Sequence, residues 1–186
     1  MTAPMLAQLL NRSSMPRLIA PAPSDAELEQ ALQAGLRAPD HAYLRPTRLH
    51  VVSGDGLRRL GDFFVAAALD DDPDAPDAVL VKHRKQPLRA PMIIVACCHP
   101  LAHDKVPEVE QVASTAACVS LLQTAFDSLG YASMWRTGAM AYHPRVRAAF
   151  DLDTADRLLA FLYVGTAAVE AKVRPALSTD DFVRRF

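Results

Sequence analysis

Residues 92–98 read MIIVACC, an uninterrupted apolar run rich in β-branched side chains and closed off by Pro91 and Pro100. A strand without polar alternation must be buried on both faces, so this run is predicted to lie in the middle of a sheet. Downstream, Pro107 to Leu129 has no helix breaker in its interior; Pro107 stands near the first turn, Glu108 and Glu110 at the positive end, and Gly130 at the stop. Apolar and small residues occupy every face of that helix. It therefore needs cover all round, and in a one-domain protein a partner subunit is a natural source of it.

Working outward, the other elements are weaker but consistent. Pro4 with Met5, Leu6, Leu9 and Leu10 predicts a first helix capped by Thr2, and Ser24 with Glu27 forms an S-x-x-E capping box ahead of Leu28, Ala31, Leu32 and Leu36. A strand is expected over Leu49–Ser53, a helix over Leu57–Leu69, a strand over Tyr131–Trp135, a short helix over His143–Phe150 and a buried strand over Leu158–Val164. The acidic run from Asp70 to Asp77, with Pro73 and Pro76, reads as a solvated connector, since neither a Gly nor a distal Glu completes a calcium loop. The order is helix-rich and not strictly βαβ. It predicts an α+β domain with a central mixed β-sheet flanked by helices. No repeat and no Gly/Ser linker divides the chain, so residues 1–186 are expected to form one domain.

Composition excludes several classes of function. A formal charge of −1 provides no overall positive field to displace counterions from nucleic acid. The longest apolar stretch, Val112 to Phe126, is interrupted by Ser114, Thr115, Ser120, Gln123 and Thr124, too short and polar for a membrane span. Residues 1–11 lack the basic start and cleavage site of a signal peptide. The three cysteines, Cys97, Cys98 and Cys118, are an odd count without a C-x-x-C spacing, which suits a reducing compartment; the expected location is the cytoplasm.

The usual catalytic signatures are missing. Gly54-x-Gly56 does not complete a dinucleotide fingerprint because position 59 is Arg59, and there is no Walker loop, nucleophile elbow or H-E-x-x-H. Cys97, Cys98, His99 and His103 have ligand chemistry for zinc, yet alternate residues of a strand point to opposite faces, so core and loop roles are expected and no metal. What remains is a set of cations and hydroxyls at element boundaries: Arg12-Ser13-Ser14, Arg37 to His41, Trp135-Arg136-Thr137-Gly138, and Lys172 with Arg174. Arginine forks, hydroxyls and backbone N–H groups are the usual parts of a phosphate cradle. Singly, each arginine reads first as a solvated surface residue.

Taken together, Asn11-Arg12-Ser13-Ser14, Arg37-Ala38-Pro39-Asp40-His41, His103 to Gln111, Trp135 to Ala139 and Phe161 to Thr166 resemble, in order and spacing, the nitroreductase family in its YdjA-like branch. The resemblance implies a nitroreductase-like fold, an intertwined homodimer with a C-terminal extension onto the partner, FMN bound at the interface, and NADH or NADPH as electron donor. It implies that Arg12, Ser13 and Ser14 meet the flavin's phosphate and ribityl end. Arg37 and His41 would approach it from the other subunit, Trp135, Arg136 and Thr137 would run along the ring, and Arg174, or else Lys172, would stand near the phosphate. The chain departs from that pattern at Ser13, where relatives carry a second arginine, and at Arg45-Pro46-Thr47, where they carry Gln-Pro-Trp. No side chain is expected to be catalytic, because the flavin carries the hydride and electron chemistry. His41 either donates a proton to the acceptor or simply hydrogen-bonds the flavin or the partner. The implied activity is electron transfer from NAD(P)H to nitroaromatics, quinones or similar acceptors by a ping-pong cycle; a non-catalytic FMN-binding or redox-sensing protein is the alternative.

Overall fold

The structure, a computed structural model, describes residues 3–171, 175 and 177–186. Its centre is the strand Met92–Cys98, with every residue buried. Two further strands run antiparallel beside it: Thr47–Ser53, paired from Thr47↔Cys98 to Ser53↔Met92, and Arg157–Ala167, paired from Met92↔Val164 onward. In chain order the elements are α1 (Pro4–Asn11), β1 (Leu18–Ile19), α2 (Asp25–Gly35), β2 (Thr47–Ser53), α3 (Asp55–Asp71), α4 (Asp77–Lys85), β3 (Met92–Cys98), α5 (Glu108–Ser128), β4 (Ala132–Arg136), α6 (Ala139–Tyr142), α7 (Pro144–Ala148) and β5 (Arg157–Ala167).

Strand alternation divides the core in two. Ile93, Val95 and Cys97 join Phe64, Phe161 and Tyr163 on the α3 face, while Met92, Ile94 and Ala96 join Leu122, Phe126 and Leu162 under α5. Burying each Ile or Val side chain of β3 contributes roughly 1.5–3 kcal/mol, so the run that specifies the strand also holds the two helical layers to it. Cys97 and Cys98 thus face opposite layers. Burial pushes the Cys97 thiol up to about 12 and that of Cys118 up to about 11, which leaves both as inert core groups.

The expected mixed sheet is corrected by the pairing: among the described residues every ladder is antiparallel. β3 and β4 do run in the same direction, joined by the α5 crossover, but β5 lies between them and pairs with both along Phe161–Val164. The βαβ unit is split. Inserting β5 turns two potential parallel neighbours into two antiparallel ones, and it leaves β4 with one unpaired edge.

Local signals place most boundaries well. The capping box at α2 is complete: Glu27 N–H donates to the Ser24 hydroxyl, and the Glu27 carboxylate accepts from Ser24 N–H at 2.9 Å. Pro4 opens α1 with Ala3 at the cap position, and the expected Thr2 cap falls outside the described residues. β2 begins at Thr47 rather than Leu49, and β5 continues to Ala167, where it takes up β1 through Leu18↔Ala167. The short helix expected over His143–Phe150 is confined to Pro144–Ala148. The acidic run also differs from a free connector. Asp70 and Asp71 are the last turn of α3, with Asp70 gripped by the Arg145 guanidinium and Asp71 standing 3.5 Å from His143. Asp77 opens α4, a helix that packs so closely on α3 that a methyl group at Gly61 would collide with the Arg84 carbonyl oxygen.

Among the described residues α5 is covered on one side. Gln111, Thr115, Cys118, Val119, Leu122 and Phe126 are buried, whereas Val109, Ala113, Ser120 and Leu121 form an exposed stripe, Val109 at 69% and Leu121 at 37% exposure. Among the described residues no helix is long and apolar enough to cross a membrane.

Candidate cofactor site

The free edge of β4 organises the site. Met15 N–H donates to the Ser133 carbonyl at 3.0 Å, so the main-chain groups of Ser133 point away from β5. Strand periodicity then turns those of Trp135 to the same open side. From Ser133 to Thr137 this edge advances roughly 13–14 Å. A cleft opens at each end of it.

The first cleft, about 620 Å3, is lined by Arg12 and Ser13 from the loop after α1, Gln123 and Asp127 from α5, Tyr131 to Ser133, and Ala167 to Ala171 beyond β5. Arg12 is exposed and has no ion pair among the described residues. Ser13 is half-buried, its hydroxyl 3.5 Å from the Met15 sulfur, and Ser14 is half-buried beside it. The cleft's inner wall is fixed by buried Gln123, whose amide donates to the Ser133 hydroxyl at 3.3 Å. Asp127 and Glu170 share the rim with Arg12, so its positive charge is partly offset. Lys172 and Arg174 lie outside the described residues.

The second cleft, about 440 Å3, is lined by Trp135 to Met140, by His83, Gln86 and Arg89, and by an apolar floor of Phe64, Met134 and Tyr163. Among the described residues no carboxylate lines it. The Arg136 guanidinium lies 5.5 Å from the Tyr163 ring centroid, a cation–π contact, and its Nε is buried without a hydrogen-bond partner. Burial, and secondarily the charge of Arg89, pulls the Arg136 pKa below its ordinary value. A desolvated donor repelled by a second cation is poorly satisfied by the protein alone, and an anion or a carbonyl-rich ring edge supplies what it lacks. His83, Gln86 and Arg89 received no role from the sequence. Their spacing of three residues was the available signal, because it sets all three on one side of the α4 end and the turn that follows.

Trp135 is turned the other way. Its indole N–H donates to the Leu159 carbonyl at 2.9 Å and its ring packs against the core under α5, so this residue offers a ligand its main chain rather than its ring. Thr137 and Gly138 are exposed at the mouth of the second cleft, Gly138 with a φ of 84°.

Arg37 and His41 stand elsewhere in the same chain. Arg37 is exposed just beyond α2, and His41 Nδ1 lies 2.6 Å from the Glu110 carboxylate at the start of α5. The 17 positions from Glu110 to Asp127 correspond to roughly 25 Å along the helix, so one chain does not bring His41 to the first cleft. The other sequence-derived cluster, His99, is 2.5 Å from the buried carboxylate of Asp156, which also accepts from Asp153 N–H. It braces the turn before β5.

Among the described residues, an antiparallel sheet is sandwiched by helices and its open edge strand β4 lies between two polar clefts. The chain belongs to the nitroreductase family, whose model matches residues 11–166. Over 166 residues, 89% of this chain and 90% of the relative, it is 37% identical to YdjA of Escherichia coli strain K12, provisionally named an NAD(P)H nitroreductase. In fold it is similar to a nitroreductase-like family protein from Bacillus cereus, with a TM-score of 0.85, 17% identity, and coverage of 100% of this chain and 97% of that one. It is also similar to a provisionally named nitroreductase from Desulfovibrio desulfuricans solved in complex with FMN, with a TM-score of 0.74, 20% identity, and coverage of 100% and 99%.

Proposed function

We propose that this protein is an FMN-dependent NAD(P)H oxidoreductase that works as a homodimer and reduces nitroaromatics, quinones or similar electron-poor acceptors. The observation that carries the reading is the second cleft, where among the described residues the buried Arg136 Nε beside Arg89 has no hydrogen-bond partner and no carboxylate stands in the lining. That donor set fits the carbonyl-bearing edge of an isoalloxazine. At the other end of the β4 edge, Arg12, Ser13 and Ser14 fit the phosphate and ribityl end, with Arg174 or Lys172 as a second cation. When bound, the flavin supplies hydride uptake from NAD(P)H at N5 and its release to an acceptor on the same face, a ping-pong cycle.

The chain's own groups bind and orient. Main-chain groups of Trp135 and Thr137 would hold the ring along the open edge, and Arg12 would neutralise phosphate charge. A two-fold axis perpendicular to α5 at its exposed stripe would set two copies of that helix antiparallel. The start of one helix would then lie by the end of the other, which brings His41 and Arg37 of one protomer to the first cleft of its partner. The exposed tail residues Leu177, Phe182 and Phe186 suit an arm laid on the partner. Glu110 orients the His41 ring and leaves Nε2 free to hydrogen-bond the flavin or to pass a proton.

The test is direct. Freshly purified protein is expected to be yellow, to hold one FMN per chain, to sediment as a dimer and to bleach on anaerobic addition of NADPH or NADH. A colourless protein that takes up no FMN sinks the proposal; a yellow dimer that neither nicotinamide reduces is the flavin-binding module instead.

A further inference from the structure

The segment Asp40–Arg45 is strained and yet firmly held. Ala42, Tyr43 and Arg45 have φ values of 57°, 56° and 54°, a left-handed conformation that L side chains rarely adopt, and none of the three is glycine. The anchors lie on both sides. The Asp40 carboxylate, 8% exposed, accepts from Arg45 N–H at 2.8 Å; His41 is held on Glu110; and the Pro46 carbonyl accepts from His99 N–H at 2.7 Å. Arg48 ties the far end through the Arg45 carbonyl at 2.7 Å. Between these anchors the loop displays the Tyr43 ring, 76% exposed, with the Arg45 guanidinium 5.2 Å from its centroid. Strain of this kind persists where a loop must present side chains in one orientation.

We infer that Tyr43 and Arg45 form the acceptor-selecting wall of the site: the ring stacks on a planar aromatic acceptor, and the guanidinium selects acceptors that carry a carboxylate. This rests on the dimeric flavin reading, in which His41 and Tyr43, sharing one loop, would both lie against the partner's site. The segment 45–47, Arg-Pro-Thr, contributes no aromatic of its own, and Thr47 is spent on a hydrogen bond to Thr115 at 3.0 Å. Tyr43 provides the flat surface from two residues earlier in the chain. The only ion pair of Arg45 among the described residues is to Asp40 at 3.7 Å, so most of its five N–H donors remain for a ligand.

The experiment compares binding of 4-nitrobenzoate and the neutral 4-nitrobenzyl alcohol to the oxidised holoprotein, by calorimetry and by perturbation of the flavin spectrum. The carboxylate is expected to bind about five- to tenfold more tightly, as suits an exposed charge-assisted hydrogen bond, with the preference eroded by salt. Arg45→Gln should bring the two constants together without altering that of the alcohol. Tyr43→Asn, which tolerates the left-handed backbone, should weaken both by about three- to tenfold, as expected for a lost aromatic stack, and Tyr43→Phe should restore both. A preference that survives Arg45→Gln, or binding that is indifferent to Tyr43→Asn, overturns the inference. So does loss of flavin in Tyr43→Asn alone, which would make the ring structural. A wild-type protein that holds no FMN refutes the flavin reading itself; a yellow, reducible dimer unaffected by these changes refutes only the role of the wall.

Discussion

Replacing Arg136 by methionine should make the ligand-free protein more stable and the flavin complex weaker, two effects of opposite sign from one substitution. Among the described residues the buried Nε of Arg136 has no acceptor, and the cleft it lines also holds Arg89 and no carboxylate. An unsatisfied buried donor costs roughly 1–3 kcal/mol, and more when charged. Against this, the cation–π contact with Tyr163 contributes about 0.5–1 kcal/mol at a partly exposed position. Methionine fills similar space and packs well against Phe64, Met134 and Tyr163 through its flexible thioether. The net gain for the apoprotein is about 1 kcal/mol, which in a chain of this length raises Tm by roughly 2–4 °C. If Arg136 donates to the flavin's carbonyl edge, the same change removes a charged hydrogen bond of about 1.5–3 kcal/mol, a loss of roughly 10- to 150-fold in FMN affinity. Urea denaturation of the apoprotein measures the first effect and quenching of FMN fluorescence on titration measures the second. An Arg136→Met apoprotein that is less stable than wild type and binds FMN unchanged would refute the reasoning, because the arginine would then be a structural residue satisfied within the fold.

Arg12→Ala should weaken FMN binding by about 1.5–3 kcal/mol, seen as flavin lost on dialysis, with little change in apoprotein stability because Arg12 is exposed; full retention counts against the phosphate role. Leu121→Arg places a charge in the exposed stripe of α5, and sedimentation is expected to show monomers that no longer retain flavin; an intact yellow dimer would rule that face out as the interface. The hydrogen bond from Arg145 holds the Asp70 carboxyl below its ordinary value of 3.8, so its stabilisation is complete above that pH and is lost as pH falls through the lower, folded-state value. Asp70→Asn should therefore be less stable than wild type at neutral pH, with the difference vanishing in strong acid; a gap that persists under acid conditions contradicts the assignment.

Period and termination signals act over a few residues, and those parts of the fold were legible directly. β3 was readable because seven consecutive apolar residues between prolines have few other solutions, and α2 because a complete capping box leaves its mark three residues apart. α5 was readable as a helix with apolar and small residues on every face, and among the described residues one stripe of it is exposed. β1 was not, since a two-residue strand is defined only by the β5 residues it meets. α4 follows a proline-rich acidic turn and is amphipathic only weakly, so its helical state depends on docking against Gly61 of α3.

By itself, then, the chain determined its buried strands and its central helix, because each follows from side-chain chemistry read over short distances. Only the tertiary structure decided that β5 enters between β3 and β4, and with it that every ladder is antiparallel and β4 keeps an open edge. It also decided that the Nε of half-buried Arg136 is desolvated near Arg89, and that Trp135 spends its indole on Leu159. Those outcomes depend on which distant segments meet, and desolvation and pairing have no value until the partners are fixed in space.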